Sequence, residues 1–315
     1  MEELIIALRS GEEEISNIAK LVSDAESFDK HKALGDHSWL DLVHGGRKGV
    51  WGFTARTINS EGLVGYAQIS VGNDSWALEL VVHPMARNEK MGVSHALVQR
   101  SLGEIAKHGG GHVHVWLSNN NSQLERVLIE AGFVAGRQLI QMRRPLPLED
   151  WHSQTKIDTR PFVVGKDDEK WLHVNNRAFA NHPEQGGWTH ETLSMRQKEP
   201  WFDGSGFLLH FVDEELAAFC WTKVHGDSSP RMGEIYVIGV DPKFSGMGIG
   251  RKITIAGLQH LASIGMPLAM LYVDAENTNA LAMYRHLGFH PDHFDFAYVA
   301  DISPTDISPI DDKTG

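Results

Sequence analysis

The chain is poor in cysteine, in long apolar runs and in positive charge. Its 315 residues include a single cysteine, Cys220, so no internal disulfide can form, and a reducing, cytoplasmic compartment is expected. No stretch approaches the ~18 consecutive apolar residues of a membrane span. The acidic start, Met1 to Ser16, lacks the basic-then-apolar pattern of a secretory signal. With 29 Lys and Arg against 41 Asp and Glu, the formal net charge is −12. That balance argues against nucleic acid or anionic membrane as main partner and suits a cationic small substrate. What is present, 42% hydrophobic and 22% charged residues, is the composition of a globular protein long enough for two domains.

The chain repeats itself once. Glu79 to Pro84, a loop from Arg87 to Gly92 and a helical stretch are answered by Val237 to Pro242, a loop from Ser245 to Gly250 and a second helical stretch. Pro84 and Pro242 are 158 positions apart (242 − 84), as are Gly92 and Gly250 (250 − 92). Ala131-Gly132-Phe133 returns as Leu287-Gly288-Phe289 at a spacing of 156 (288 − 132). Two ordered matches at nearly constant spacing indicate tandem copies of one fold. The expected domains are residues 1–145 and 156–301, joined by the Pro-containing, polar stretch 144–157. A polar tail, 302–315, is expected to be disordered.

In the second copy, Asp167 to Ala180 reads as a helix with Asp167 or Asp168 at its start. Gly206–Val212 and Leu216–His225 read as a hairpin, and Gly233–Val240 as a third strand. A helix from about Gly248 to Ser263 carries Ile253, Ala256, Gly257, Leu261 and Ile264 on one stripe. Ala269–Val273 is a strand, Asn277–His286 a helix, and Phe294–Ala300 a last strand. The fold class is α/β.

Three glycines in Ser245-Gly246-Met247-Gly248-Ile249-Gly250 permit a tight turn and close backbone approach to a ligand. The helix start behind them offers unpaired N–H groups to a pyrophosphate. The same loop is also a serviceable glycine-rich turn. Glu234, at the start of the strand leading to it, is a candidate general base for an amine, or else an edge-strand glutamate in solvent. Tyr284, at helical spacing from Leu281 and Leu287, reads as core unless it meets a ligand. Cys220, between Phe219 and Trp221, reads as a buried thiol rather than an acyl-carrying nucleophile. His286, His290 and His293 straddle a helix end and Gly288, which spoils a metal geometry, and no metal is expected.

This order of elements, with Asn277-x-x-Ala280-x-x-x-Tyr284-x-x-Leu287-Gly288-Phe289, resembles the Gcn5-related N-acetyltransferase fold, here in two tandem domains, each a mixed sheet flanked by helices. The resemblance implies acetyl-CoA as co-substrate. Ile238, Gly239 and Val240 would hold its pantetheine arm, and Ser245, Gly246, Met247, Gly248, Ile249, Gly250 and Arg251 its pyrophosphate. Asn277, Thr278, Asn279, Ala280, Leu281 and Ala282 would line its far side. It also implies Glu234 as base and Tyr284 as acid beside the departing sulfur. Further motifs, Asn175-Asn176-x-Ala178-Phe179-Ala180, His182 to Thr189, Trp221-Thr-Lys-Val-His225 and Gln141-Met-Arg-Arg-Pro145, are similar to those of the mycothiol synthase family. That actinobacterial family of tandem acetyltransferases acetylates the cysteinyl amine of a cysteinyl-glucosaminyl-inositol. Its acceptor contacts carry over to Glu184, Lys223, Glu234 and Tyr272, with Asp36 where the family has an acidic residue. From the residues alone, Glu184 is equally a turn residue, Lys223 an exposed strand lysine and Asp36 a helix cap.

The two copies differ at the key positions. The 158 spacing sets Trp76 opposite Glu234 (234 − 158), and the 156 spacing sets Leu128 opposite Tyr284 (284 − 156). Only the second copy is therefore expected to catalyse. Resemblance implies a non-reacting acetyl-CoA in the first copy, on Leu80, Val81 and Val82 and on Asn88, Glu89, Lys90, Met91, Gly92 and Val93; by charge alone Arg87 and Lys90 could attract its pyrophosphate, and an empty, degenerate copy is the other reading. Alternative activities are acetylation of another amine, such as an aminoglycoside or a protein N-terminus, and acetyl-CoA sensing without turnover. A monomer acting on small molecules is expected.

Overall fold

The computed structural model describes residues 3–305 apart from residues 12, 30–31, 44–48, 59, 61, 73–74, 89–90, 119–120, 150–154, 181, 183–184 and 227–229. The chain divides into two compact units. One comprises the chain up to Arg137 together with the chain from Phe296 onward, and the other Gln138–Asp295.

The N-terminal unit contains β1 (Leu4–Leu8), α1 (Glu13–Asp29), α2 (Asp36–Val43), β2 (Val50–Thr57), β3 (Gly65–Val71), β4 (Trp76–Val82), α3 (Val93–Lys107), β5 (Gly111–Ser118), α4 (Ser122–Glu130) and the start of β6 (Val134–Pro145). In the second unit follow β7 (Arg160–Pro161), α5 (Asp168–Ala178), α6 (His190–Gln197), β8 (Phe207–Val212), β9 (Glu215–His225), β10 (Met232–Val240), α7 (Ile249–Ser263), β11 (Leu268–Asp274), α8 (Thr278–His286) and the start of β12 (His290–Ile302). Strand order is β1-β2-β3-β4-β5-β12 in the first unit and β6-β11-β10-β9-β8-β7 in the second.

This division differs from the expected 1–145 and 156–301, because each copy's last strand completes the other copy's unit. From Gln138 on, β6 runs antiparallel to β11, from Leu139↔Asp274 to Pro145↔Leu268. Arg144 and Pro145 are thus strand residues and not the start of a linker. The end of β12 gives Tyr298 and Ala300 to the N-terminal core, and Asp301 pairs with His112 at 2.9 Å. Of the tail, residues 306–315 lie outside the described residues. No helix among the described residues is long and apolar enough to cross a membrane.

Local sequence explains the elements around the glycine loop. The β8–β9 turn places Asp213 and Glu214 at φ 46° and 66°, the left-handed pair a two-residue hairpin requires. α7 buries Ile253, Leu258 and Leu261 in the core under β9–β11, with Gly257 against the Cys220 sulfur. Ile264, expected on that stripe, lies just past the helix and is 41% exposed. On the other face of the sheet Trp171, Trp188, Phe207, Phe219 and Trp221 form an aromatic core. Asp167 precedes α5 without capping it; its carboxylate accepts both Arg160 Nη atoms at 2.7 and 2.6 Å and the Val163 amide at 2.9 Å. The Arg160 hydrogen bonds hold that carboxyl below its usual range, with burial opposing them. Its stabilisation is therefore complete above the unfolded value near ~4 and is lost as pH falls through the depressed one. Asp167→Asn should cost about 1–3 kcal/mol at neutral pH, read by urea denaturation, and less at acid pH.

Candidate active site

β10 and β11 run parallel but pair only from Met232↔Leu268 to Glu234↔Met270. Past that point the register of β10 against β9 shifts between Ile235 and Val237, a bulge at Tyr236 that bends the strand. The rest of β10, carrying Ile238, Gly239 and Val240, leaves its β11-facing edge without a ladder partner among the described residues. Its backbone N–H and C=O groups on that edge are open to an extended ligand.

The glycine loop continues this opening. Ser245, Gly246, Met247 and Gly248 are exposed. Gly246 and Gly248 have φ of 79° and 71°, and a Cβ on either would meet nothing within 4 Å. Gly248 caps α7 with no side-chain hydrogen bond, so the first-turn amides of Ile249, Gly250 and Arg251 face outward at the positive end of the helix. Asn277 caps α8 by accepting from the Ala280 amide at 3.1 Å; Thr278, Asn279 and Ala282 are exposed, while the Leu281 side chain turns into the core. These features fit a pyrophosphate and its pantetheine arm.

Glu234 sits where the two strands part, and it is only 7% exposed, unlike an edge glutamate in solvent. His225 Nε2 lies 2.7 Å from its Oε2. Lys223 is its register partner on β9 and is buried, its Nζ 4.5 Å from the Trp201 ring and 5.2 Å from that of Tyr236; it is no exposed strand lysine. Tyr272, on β11, shares this face: residues opposite one another or two apart in a sheet point the same way. Its hydroxyl accepts from Gln141 Nε2 at 2.7 Å. Burial, reinforced by the charge of Glu234, pushes that phenol above its ordinary value.

On the opposite face Tyr284 is 6% exposed and belongs to the apolar core. Its ring meets Phe289 edge-on at 5.8 Å. Burial pushes its phenol up, keeping the proton on oxygen at neutral pH, and the hydroxyl has no hydrogen-bond partner among the described residues. Cys220 is fully buried, and desolvation raises its thiol, leaving it protonated and unreactive. His286, His290 and His293 form no metal-binding group; among the described residues there is no cluster of three ligating side chains.

Glu184 lies outside the described residues. Further along the chain Trp188 donates its amide to Asn176 at 2.9 Å and accepts from it at its carbonyl at 2.9 Å, and Gln185 O accepts from Asn175 at 3.0 Å. Asp36 opens α2 in the N-terminal unit, and its side chain lies outside the described residues. His225 and Gln141 were legible only as members of motifs. The signal for His225 was its place two residues from Lys223 on a strand; Gln141 carried none, because its partner Tyr272 is distant in sequence.

The N-terminal unit reproduces the scaffold without counterparts of Glu234 and Tyr284. β4 and β5 pair at Trp76↔Val113 and Ala77↔His114 and then part. β4 carries no bulge, its pairing with β3 running unbroken from Gly65↔Val82 to Val71↔Trp76. Counting back from the shared strand end, the missing bulge residue moves the counterpart of Glu234 from Trp76 to Ala77. The expected Trp76 is corrected, and alanine is no base either. Leu128 does match Tyr284: each carbonyl accepts the amide of the following Phe, Phe133 at 2.9 Å and Phe289 at 3.0 Å. Gly92, at φ 63°, caps α3 as Gly248 caps α7. A cleft of about 380 Å³ is lined by Asn88, Gly92 and Val93 together with Arg126 and Val127 of α4. Leu80, Val81 and Val82 lie on the diverging stretch of β4, Met91 in the loop, and Glu89 and Lys90 outside the described residues. Arg87 does not reach for a pyrophosphate: it grips Asp29 with both Nη atoms at 2.6 Å and donates Nε to Val82 O at 2.9 Å.

Residues 151–289 match the acetyltransferase (GNAT) family. The chain is 40% identical over 290 residues to a mycothiol acetyltransferase of Acidimicrobium ferrooxidans, covering 90% of this chain and 93% of that one. It is 39% identical to the Streptomyces coelicolor mycothiol acetyltransferase, covering 91% of each. Among solved structures, a tandem GNAT protein from the clavulanic acid biosynthesis pathway superposes with a TM-score of 0.69 at 15% identity, over 96% of this chain and all of that one. A GCN5-related N-acetyltransferase from Sphaerobacter thermophilus gives 0.68 at 20% identity, over 95% of this chain and 96% of that one.

Proposed function

From the premise that this chain belongs to the mycothiol acetyltransferase family of tandem GNAT proteins, we propose that it transfers the acetyl group of acetyl-CoA to the cysteinyl amine of 1D-myo-inositol 2-(L-cysteinylamino)-2-deoxy-α-D-glucopyranoside. The products are mycothiol and CoA. The observation that carries this reading is Glu234, buried and paired with His225 at the point where β10 and β11 part.

Bound acetyl-CoA supplies the thioester whose acyl carbon the amine attacks. The open edge of β10 and the first turn of α7 orient it. Glu234 takes the proton that the ammonium must lose, directly or through one water. Lys223 and Tyr272, on the same face, hold the acceptor's polar groups by hydrogen bonds. Tyr284 donates its hydroxyl hydrogen to the sulfur as charge gathers there and the C–S bond breaks. Its raised phenol makes it chiefly a hydrogen-bond donor to that developing charge. Atoms balance: Glu234 takes the ammonium's first proton and passes it to solvent, the C–N bond forms as the C–S bond breaks, the nitrogen's second proton leaves by the same route, and the CoA thiolate departs hydrogen-bonded to Tyr284 and takes its proton from solvent.

The test is mass spectrometry of the purified protein with acetyl-CoA and the cysteinyl-glucosaminyl-inositol. A product heavier by one acetyl group supports the reading. No product, or faster acetylation of an aminoglycoside or peptide amine, overturns it. Tyr284→Phe keeps the packing against Phe289 and should lower kcat about tenfold or more with little change in acetyl-CoA affinity. An unchanged kcat with a lower Tm would make Tyr284 a core residue only.

A further inference from the structure

Gln141 reaches the catalytic unit from the end of the first copy, on β6, where it pairs with Tyr272 of β11. It is 3% exposed, and the reaction described above gives it no task. Its amide is oriented by its neighbour. Arg143 Nε lies 2.8 Å from Gln141 Oε1, and an arginine Nε–H can only donate. The atom beside it must be the carbonyl oxygen, since the reverse amide orientation would set two donors against each other. The NH₂ end of Gln141 therefore faces Tyr272 and donates to its oxygen at 2.7 Å. Arg143 is itself fixed by Asp292, 3.1 Å from its Nη2, and Asp292 also takes His293 Nδ1 at 3.1 Å. The His293 ring meets that of Tyr272 nearly edge-on at 6.1 Å. A phenol has one hydrogen. With its oxygen already accepting from Gln141, Tyr272 keeps that hydrogen for a partner other than Gln141, on the face it shares with Glu234 and Lys223.

We propose that Gln141, oriented by Arg143, is a positioning residue that fixes Tyr272 as a hydrogen-bond donor to the acceptor substrate. Acceptor recognition in the second copy is then set in part by a strand from the first. The inference rests on the acetyl-transfer reading above and assigns Gln141 and Arg143 to acceptor recognition within it.

Gln141→Glu is nearly isosteric but can only accept when ionised. It would keep Arg143 as an ion pair and capture the Tyr272 hydrogen. Initial rates with acetyl-CoA and the cysteinyl-glucosaminyl-inositol should show the acceptor KM raised about tenfold, the worth of one good hydrogen bond. The KM for acetyl-CoA and the Tm should stay near wild type. Tyr272→Phe should raise the acceptor KM similarly, and the double variant should match Tyr272→Phe alone, because without the hydroxyl there is no hydrogen left to redirect. An acceptor KM within twofold of wild type in Gln141→Glu, or effects that multiply in the double variant, overturns the proposal while leaving the acetyltransferase reading standing. Wild type that fails to acetylate this acceptor overturns both. If Gln141→Glu does not fold, Arg143→Met serves: it frees the amide to rotate, and the same rise in acceptor KM at unchanged acetyl-CoA KM is expected. An unaltered acceptor KM in that variant is equally fatal.

Discussion

Glu234→Gln is expected to slow acetyl transfer by about 10²–10⁴-fold at neutral pH, the usual cost of losing a general base. The side chain keeps its shape and a group for His225 to meet, so the Tm should move by only a few degrees. The sign of the pH dependence follows from the acceptor. An α-amino group has a pKa near ~8, so below that value almost every acceptor arrives protonated and needs a base. Above it the amine is already free. The deficit of the variant should therefore be largest at low pH and shrink as pH rises past about 8. A variant with wild-type turnover at pH 6.5 would remove Glu234 from the chemistry.

Nearly as large a loss is expected from the glycine loop. Gly250→Glu places a carboxylate in the first turn of α7, where a Cβ meets only Val240 Cγ2 at ordinary contact distance, 3.7 Å, so the fold tolerates it. Gly248→Glu adds a second carboxylate at a position of φ 71°, which a side chain adopts only with strain. Two negative charges facing a pyrophosphate cost several kcal/mol, a factor of about 10² or more in affinity. The double variant should lose turnover to at least that extent at ordinary acetyl-CoA concentrations. Gly248→Ala separates the backbone strain from the charge. Calorimetric titration then examines the first copy: residual acetyl-CoA binding without activity supports a cofactor held there without reaction, on the cleft beside Gly92 and Arg126. Loss of all binding makes the first copy empty, and retained activity contradicts the assignment of catalysis to the second.

The second copy is legible in the sequence because its signals are local. Gly246 and Gly248 adopt the positive φ their identity suggests, Asn277 caps α8, and the β8–β9 turn falls at Asp213 and Glu214. Constant spacing predicted the match of Leu128 to Tyr284 because both helices end in the same way. It failed by one residue at Trp76, because a bulge inserts a residue into β10 that β4 lacks, and single-residue insertions in a strand leave no mark on a spacing counted from its far end. Glu234 and Lys223 are buried rather than solvent-exposed strand residues, a difference the sequence does not show because burial depends on what packs over a strand.

By itself the sequence determined the tandem α/β organisation, the glycine loop and the inequality of the two copies, each resting on residue types in ordered spacing, and its motifs carried the resemblance to the acetyltransferase family. Only the tertiary structure decided that the last strand of each copy completes the other unit. It alone brought His225 to Glu234 and set Gln141 against Tyr272. The reason is physical: strands pair through backbone groups that every residue shares, so the pattern of β6 is the same whichever neighbour it joins. Hydrogen-bond partners 131 residues apart are chosen by that pairing.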